Sequence, residues 1–160
     1  MANVKATDLI DFTRASKGHA MAKVSYGSEL VVNGGFDTDS SWTKNTGWSI
    51  SGGTATCDGS HVSNAYIYQE LTGVTKGSVY RIEFDVTVKT GGTSILVFFG
   101  SGSGVTIQNP NATGTKVSMH VLGGVDNRIN IGCASGNTLT IDNVSVKEVT
   151  FDQPDETIRS

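Results

Sequence analysis

The chain has 160 residues, of which 37% are hydrophobic and 17% charged, with a net charge of −3. That length lets one domain bury a core without disulfides or metals. Lys and Arg are scattered singly, so the basic footprint that phosphate neutralisation requires is missing and no nucleic-acid partner is expected. No stretch approaches the roughly 18 apolar residues of a membrane span, and MANVKATDLIDF lacks the basic start and apolar run of a signal peptide; a soluble chain made in the cytoplasm, with no membrane partner, is the expectation.

Twenty glycines against two prolines, with many Ser, Thr, Val and Asn, favour short strands joined by tight turns. In chain order, residues 1–28 show no sustained period and carry four basic and two acidic side chains, so they read as an N-terminal arm of net charge +2. From residue 29 to 149 the pattern becomes short alternating runs with glycine-rich punctuation, which indicates a sandwich or barrel. Strands are expected at Leu30 to Asn33, Gly47 to Ile50, Thr54 to Cys57 and Ala65 to Leu71. The clearest run comes next, residues 79–88, where Tyr80, Ile82, Phe84, Val86 and Val88 share one face while Arg81, Glu83, Asp85 and Thr87 share the other. Residues 93–100, TSILVFFG, are apolar in both phases, as a strand covered on both sides would be. Gly91 and Gly92 predict a hairpin between these two runs.

Further strands are expected at Thr115 to Val121, Arg128 to Cys133 and Thr138 to Lys147. In the last, Leu139 and Ile141 occupy odd positions but Val144 and Val146 even ones, which predicts a β-bulge near Asp142 and Asn143. Residues 150–160 form a short C-terminal tail of net charge −2. The whole reads as an all-β fold, a two-sheet antiparallel sandwich of the jelly-roll kind.

Little in the sequence points to catalysis. His19, His61 and His120 are isolated, no GxSxG or HExxH occurs, and Glu83 and Asp85 fall on one exposed strand face. SGSG at 101–104 precedes a β run rather than a helix, so it reads as a strand connection and not a phosphate loop. Cys57 and Cys133 lie far apart without CxxC spacing or a histidine partner and read as small buried hydrophobes.

The order LVVNGGFDTDSSWTKNTGWSISGGTATC, then YIYQELTGVTKGSVYRIEFDVTV, then LTIDNVSVKEV resembles the β-sandwiches of carbohydrate-binding-module families 4 and 9. The residues that carry the likeness are Asn33, Gly34, Phe36, Trp42, Trp48, Gln69, the Gly77 to Phe84 stretch, and Ile141, Asp142, Asn143 and Val144. Ahead of them, Asp11 to Ser16 and Tyr26 to Leu30 resemble a cassette of bacteriophage tail and particle proteins, and Thr150 to Asp155 resembles the segment that those proteins carry after such a domain.

Trp42, Tyr66 and Tyr68 are the aromatics expected to stack on a sugar, since such rings offer an apolar platform with a polar handle; Trp48 is expected in the core. Tyr66 and Tyr68 share one strand face and stand or fall together. Asp37 and Asp142 match positions where the resembling modules hold a structural calcium ion, with an Asx turn and a bulge cap as the alternative roles; no other cofactor is implied. Phe12, Arg14 and Tyr26 are anchors of the hot-spot type, expected to dock the arm on a neighbour.

The resemblance implies a non-enzymatic virion protein among other virion proteins of capsid or tail, and a homo-oligomer. The first expectation is a capsid decoration or cement subunit, or a tail accessory, anchored by its arm. The second is a module of a phage tail fibre that recognises surface glycans on the host.

Overall fold

A computed structural model describes residues 23–91, 95–99, 105–107, 113–122 and 127–152. All of its regular elements are strands: β1 (Lys23–Tyr26), β2 (Thr43–Lys44), β3 (Trp48–Ser51), β4 (Thr54–Cys57), β5 (Ala65–Glu70), β6 (Val79–Thr90), β7 (Ile95–Phe99), β8 (Val105–Ile107), β9 (Gly114–Val121), β10 (Arg128–Cys133) and β11 (Thr138–Asp152). They build two antiparallel sheets. The six-stranded sheet runs β3-β4-β11-β6-β9, with β1 paired to β11; the five-stranded sheet runs β2-β5-β10-β7-β8. The all-β, two-sheet sandwich expected from the sequence is therefore the fold.

The period-2 pattern of β6 sorts its side chains as anticipated. Tyr80, Ile82, Phe84 and Val86 are buried, and meet Ile129 and Ile131 of β10 and Phe99 of β7 in one hydrophobic cluster between the sheets. Tyr80 and Phe99 touch across the interface with ring centroids 4.9 Å apart. Val88, expected on the inward face, is instead 49% exposed: Ile141 pairs with Val86 but Thr140 with Val88, so β6 carries an extra residue at Thr87 and Val88 turns to the outer face with Thr140.

The expected hairpin between residues 79–88 and 93–100 does not form. β6 pairs with β11 and β9, whereas β7 pairs with β10 and β8, so the chain changes sheets after Gly91. Gly91 does adopt a φ of 88°, so the turn chemistry is present; a glycine permits reversal without deciding which sheet receives the next strand. The phase slip in β11 is a bulge as expected, with a register shift between Asp142 and Ser145 and with Asn143 at a φ of 53°.

Leu30 to Asn33 is not a strand. This segment belongs to a loop that lies along β11, held by Gln69 and Glu29. Buried Gln69 accepts the Val32 N–H at 2.9 Å and donates to the carbonyls of Val32 and Ser41 at 2.8 and 3.0 Å. The Glu29 carboxylate accepts the N–H groups of Leu30, Val31 and Val146. Gly34 sits where a Cβ would lie 2.0 Å from the Val144 carbonyl oxygen, and that close approach lets Val144 N–H reach the Gly34 oxygen at 2.9 Å.

The sheet also extends past the expected limits of residues 29 and 149. β1 pairs Lys23 with Asp152 and Tyr26 with Val149, on the β11 edge that β4 occupies further along. Residues 1–22 and 153–160 lie outside the described residues.

Candidate functional site

On β5 the alternation places Ala65, Ile67 and Gln69 in the core and turns Tyr66, Tyr68 and Glu70 outward. The antiparallel register with β10 sets Tyr66 opposite Gly132, Tyr68 opposite Asn130 and Glu70 opposite Arg128. On the far side of β10, β7 sets Leu96 opposite Gly132 and Phe98 opposite Asn130. Two rows thus cross the outer face of the five-stranded sheet, Tyr66–Gly132–Leu96 and Tyr68–Asn130–Phe98.

Contacts between and beside these rows fix the rings. Tyr66 and Phe98 meet edge to face, centroids 5.8 Å apart, across the diagonal between strands. The Arg128 guanidinium lies 4.6 Å from the centroid of the Tyr68 ring, a cation–π contact that holds this side chain against the sheet. Gly132 explains the posture of Tyr66. A Cβ there would fall 2.5 and 2.7 Å from Tyr66 Cε1 and Cδ1 and 3.0 Å from Leu96 Cβ, so the ring lies over the bare glycine backbone rather than standing off the sheet. Tyr66, Tyr68, Leu96 and Phe98 are each half-buried, so this face stays partly open to solvent. The face combines apolar rings with the Arg128 and Glu70 charges and the Asn130 amide. It suits a flat ligand with one apolar side and a polar rim.

The other expected site residues fall elsewhere. Trp42 does not join the platform: it is only 7% exposed, packs on Phe36 with centroids 5.3 Å apart, and donates its indole N–H to the Asn33 carbonyl at 3.0 Å. Its position after the loop turns it inward. Trp48 is 6% exposed and in the core, as expected.

Asp37 is exposed in the loop before β2, while Asp142 caps the bulge by accepting the Asn143 N–H at 2.7 Å. The bulge-cap role of Asp142 is thus seen directly. Tyr26 is not on a free arm: it ends β1, paired with Val149, and Arg81 stacks 5.7 Å from its ring. Phe12 and Arg14 lie outside the described residues.

His61 is not isolated. It is 6% exposed, and its Nδ1 lies 3.4 Å from Cys57 Sγ; Cys133 completes a buried trio of ligand-type atoms within 4.8 Å of one another. Among the described residues this is the only set of three or more His, Cys, Asp or Glu side chains so gathered. Burial pushes the Cys57 thiol above its ordinary pKa and the Cys133 thiol up to about 12. The sequence signal was the C-x3-H spacing of Cys57 and His61, which becomes legible only when Cys133 arrives from the other sheet.

No family model matches the chain, and no curated protein matches it. Among solved structures, the chain is similar to the enzymatically active domain of tailspike protein 4 from bacteriophage CBA120, at 20% identity and a TM-score of 0.54. That match covers 75% of this chain, which spans only 21% of the tailspike chain. Two variants of a family 29 carbohydrate-binding module are similar at 16% and 13% identity, with TM-scores of 0.44 and 0.45. These matches cover 79% of this chain and 92% and 91% of the modules. The likeness to the tailspike domain is one of fold.

Proposed function

We propose that this chain is a non-catalytic glycan-binding module, and that the outer face of β5, β10 and β7 is its binding surface. One observation carries the reading: Tyr66 lies over Gly132 in a row with Leu96, beside the Tyr68–Asn130–Phe98 row, and forms a partly exposed aromatic floor. Pyranose rings present an apolar C–H face that stacks on such rings, while their hydroxyls accept hydrogen bonds from a guanidinium and donate them to a carboxylate at the rim. Arg128 and Glu70 supply that rim.

A setting in a phage tail, with virion neighbours and a homo-oligomeric assembly, belongs to the same proposal. It draws support from the similarity in fold to a tailspike domain. Attachment through the N-terminal arm and decoration of a capsid gain no support from the described residues.

The test is titration calorimetry of the chain with oligosaccharides that score on a glycan array. Tyr66→Ala and Tyr68→Ala should each weaken binding by about tenfold or more, as loss of a stacked ring does. Tyr26→Ala, on the opposite sheet, should leave affinity unchanged. Absence of any glycan that binds, or binding insensitive to both platform tyrosines, would overturn the reading.

A further inference from the structure

The buried trio gathers three donors at the end of strands from opposite sheets. Cys57 is the last residue of β4 in the six-stranded sheet, and Cys133 is the last of β10 in the five-stranded sheet. After Cys57 the chain folds back on itself, with Asp58 Oδ1 accepting the Ser60 N–H at 2.9 Å and Gly59 at a φ of 81°. That turn returns His61 over Cys57.

The imidazole is oriented by its far nitrogen. Nε2 lies 3.0 Å from the Ala134 carbonyl oxygen, which can only accept, so Nε2 carries the proton and the Nδ1 lone pair faces Cys57 Sγ at 3.4 Å. Cys133 Sγ donates to the Asn137 carbonyl at 3.2 Å in the same corner. Gly47, at a φ of 91°, keeps the space beside these atoms open: a Cβ there would lie 3.2 Å from His61 Nδ1 and 3.6 Å from Cys57 Sγ.

We propose that Cys57, His61 and Cys133 form a binding site for a thiophilic divalent cation of the zinc class, which staples the two sheets together. Three physical arguments agree. Metal–sulfur and metal–nitrogen bonds of about 2.3 and 2.05 Å at a tetrahedral angle put the two donors about 3.6 Å apart, close to the 3.4 Å between Cys57 Sγ and His61 Nδ1. Two thiolates and one neutral imidazole cancel a dication, so the buried site carries no net charge. The hydrogen bond from Nε2 to a backbone carbonyl is the outer-sphere contact that fixes the tautomer of a ligating histidine. The donor set has no carboxylate, which selects against calcium and magnesium. A fourth position falls to water or to the Asn137 carbonyl. A disulfide between the cysteines would need no imidazole and would leave the orientation of His61 without a role.

The reduced, metal-free chain titrated with Co²⁺ in the presence of a phosphine reductant provides the test. The expected result is a thiolate-to-cobalt charge-transfer band with tetrahedral d–d bands, saturating at one ion per chain and bleached by Zn²⁺. The melting midpoint should rise with Zn²⁺ and fall back with chelator. His61→Gln should weaken cobalt binding at least tenfold, and Cys57→Ser or Cys133→Ser should abolish the charge-transfer band. Should either serine variant fail to fold, the wild-type titration and His61→Gln still decide. A reduced chain with two titratable thiols that shows no charge-transfer band in excess cobalt overturns the proposal. So does a band that His61→Gln leaves unchanged.

Discussion

The two sheets present the same kind of residue inward and different kinds outward. Across the middle of the six-stranded sheet, the outer face carries Arg81, Glu83 and Asp85 on β6 and Lys147 on β11; Arg81 pairs with Glu83, and Asp85 accepts hydrogen bonds from Thr115 and Asn143. Across the five-stranded sheet the corresponding positions hold Tyr66, Tyr68, Leu96 and Phe98. Inward positions are constrained by the need to fill a common core, and both sheets meet it with Ile, Val, Leu and Phe. Outward positions are released from that demand. The difference lies in arrangement rather than in apolar content: the five-stranded sheet gathers its rings over Gly132, whereas the six-stranded sheet sets exposed Tyr26, Val117 and Met119 around charged Arg81, Glu83 and Asp85.

The sharpest break between inward and outward should appear within β6 itself. Phe84→Ala, at a fully buried position, is expected to cost about 3–5 kcal/mol in chemical denaturation, and Glu83→Ala, on the other face, to stay within about 0.5 kcal/mol. Equal losses would mean that the strand phase is wrong. Next in size is Gln69→Leu, which strips the loop of three hydrogen bonds and leaves Val32 and Ser41 groups unpaired. A loss of about 1–3 kcal/mol is expected from the denaturation midpoint. Indifference to this change would show that the loop is held without Gln69.

Gly132→Ala separates the face from the core. Its new Cβ collides with the Tyr66 ring and approaches Leu96, so glycan affinity should fall about tenfold, equivalent to about 1.4 kcal/mol. The Phe84→Ala loss of stability should not be matched. Retained affinity would show that the posture of Tyr66 is irrelevant to binding.

The smallest effect concerns pH. Burial holds the His120 pKa below the usual imidazole value, so the unfolded chain takes up the proton first as pH falls. The stability tied to neutral His120 is therefore fully present above about pH 6.5 and declines on acidification. His120→Gln should flatten the fall in melting temperature between about pH 7 and 5, and an unchanged slope would assign that fall to other groups.

Where a run of residues alternates, the sequence suffices to read its local behaviour. Alternation along Ala65 to Glu70 puts both tyrosines on one outward face, and the slip from odd to even apolar positions after Ile141 marks the bulge. Both follow from the fixed two-residue period of a strand. Gln69 and Gly34 were legible as part of a resemblance, but not as the clamp and the close approach they prove to be. Trp42 departs from the expected sugar-stacking position because no period governs a loop: burial there depends on Phe36 and on Gln69 anchoring the chain.

By itself, then, the sequence of this protein determined the strand phase of β5 and of β6 up to Val86, the β11 bulge, the all-β class and the pairing of Tyr66 with Tyr68 on one face, because each is written in spacing along a single segment. Only the tertiary structure decided that β6 and β7 part into different sheets, that Gly132 and Phe98 complete the aromatic floor, and that Cys133 meets Cys57 and His61. These depend on registers between segments far apart in the chain, and such registers are selected by packing of the whole core rather than by any local pattern.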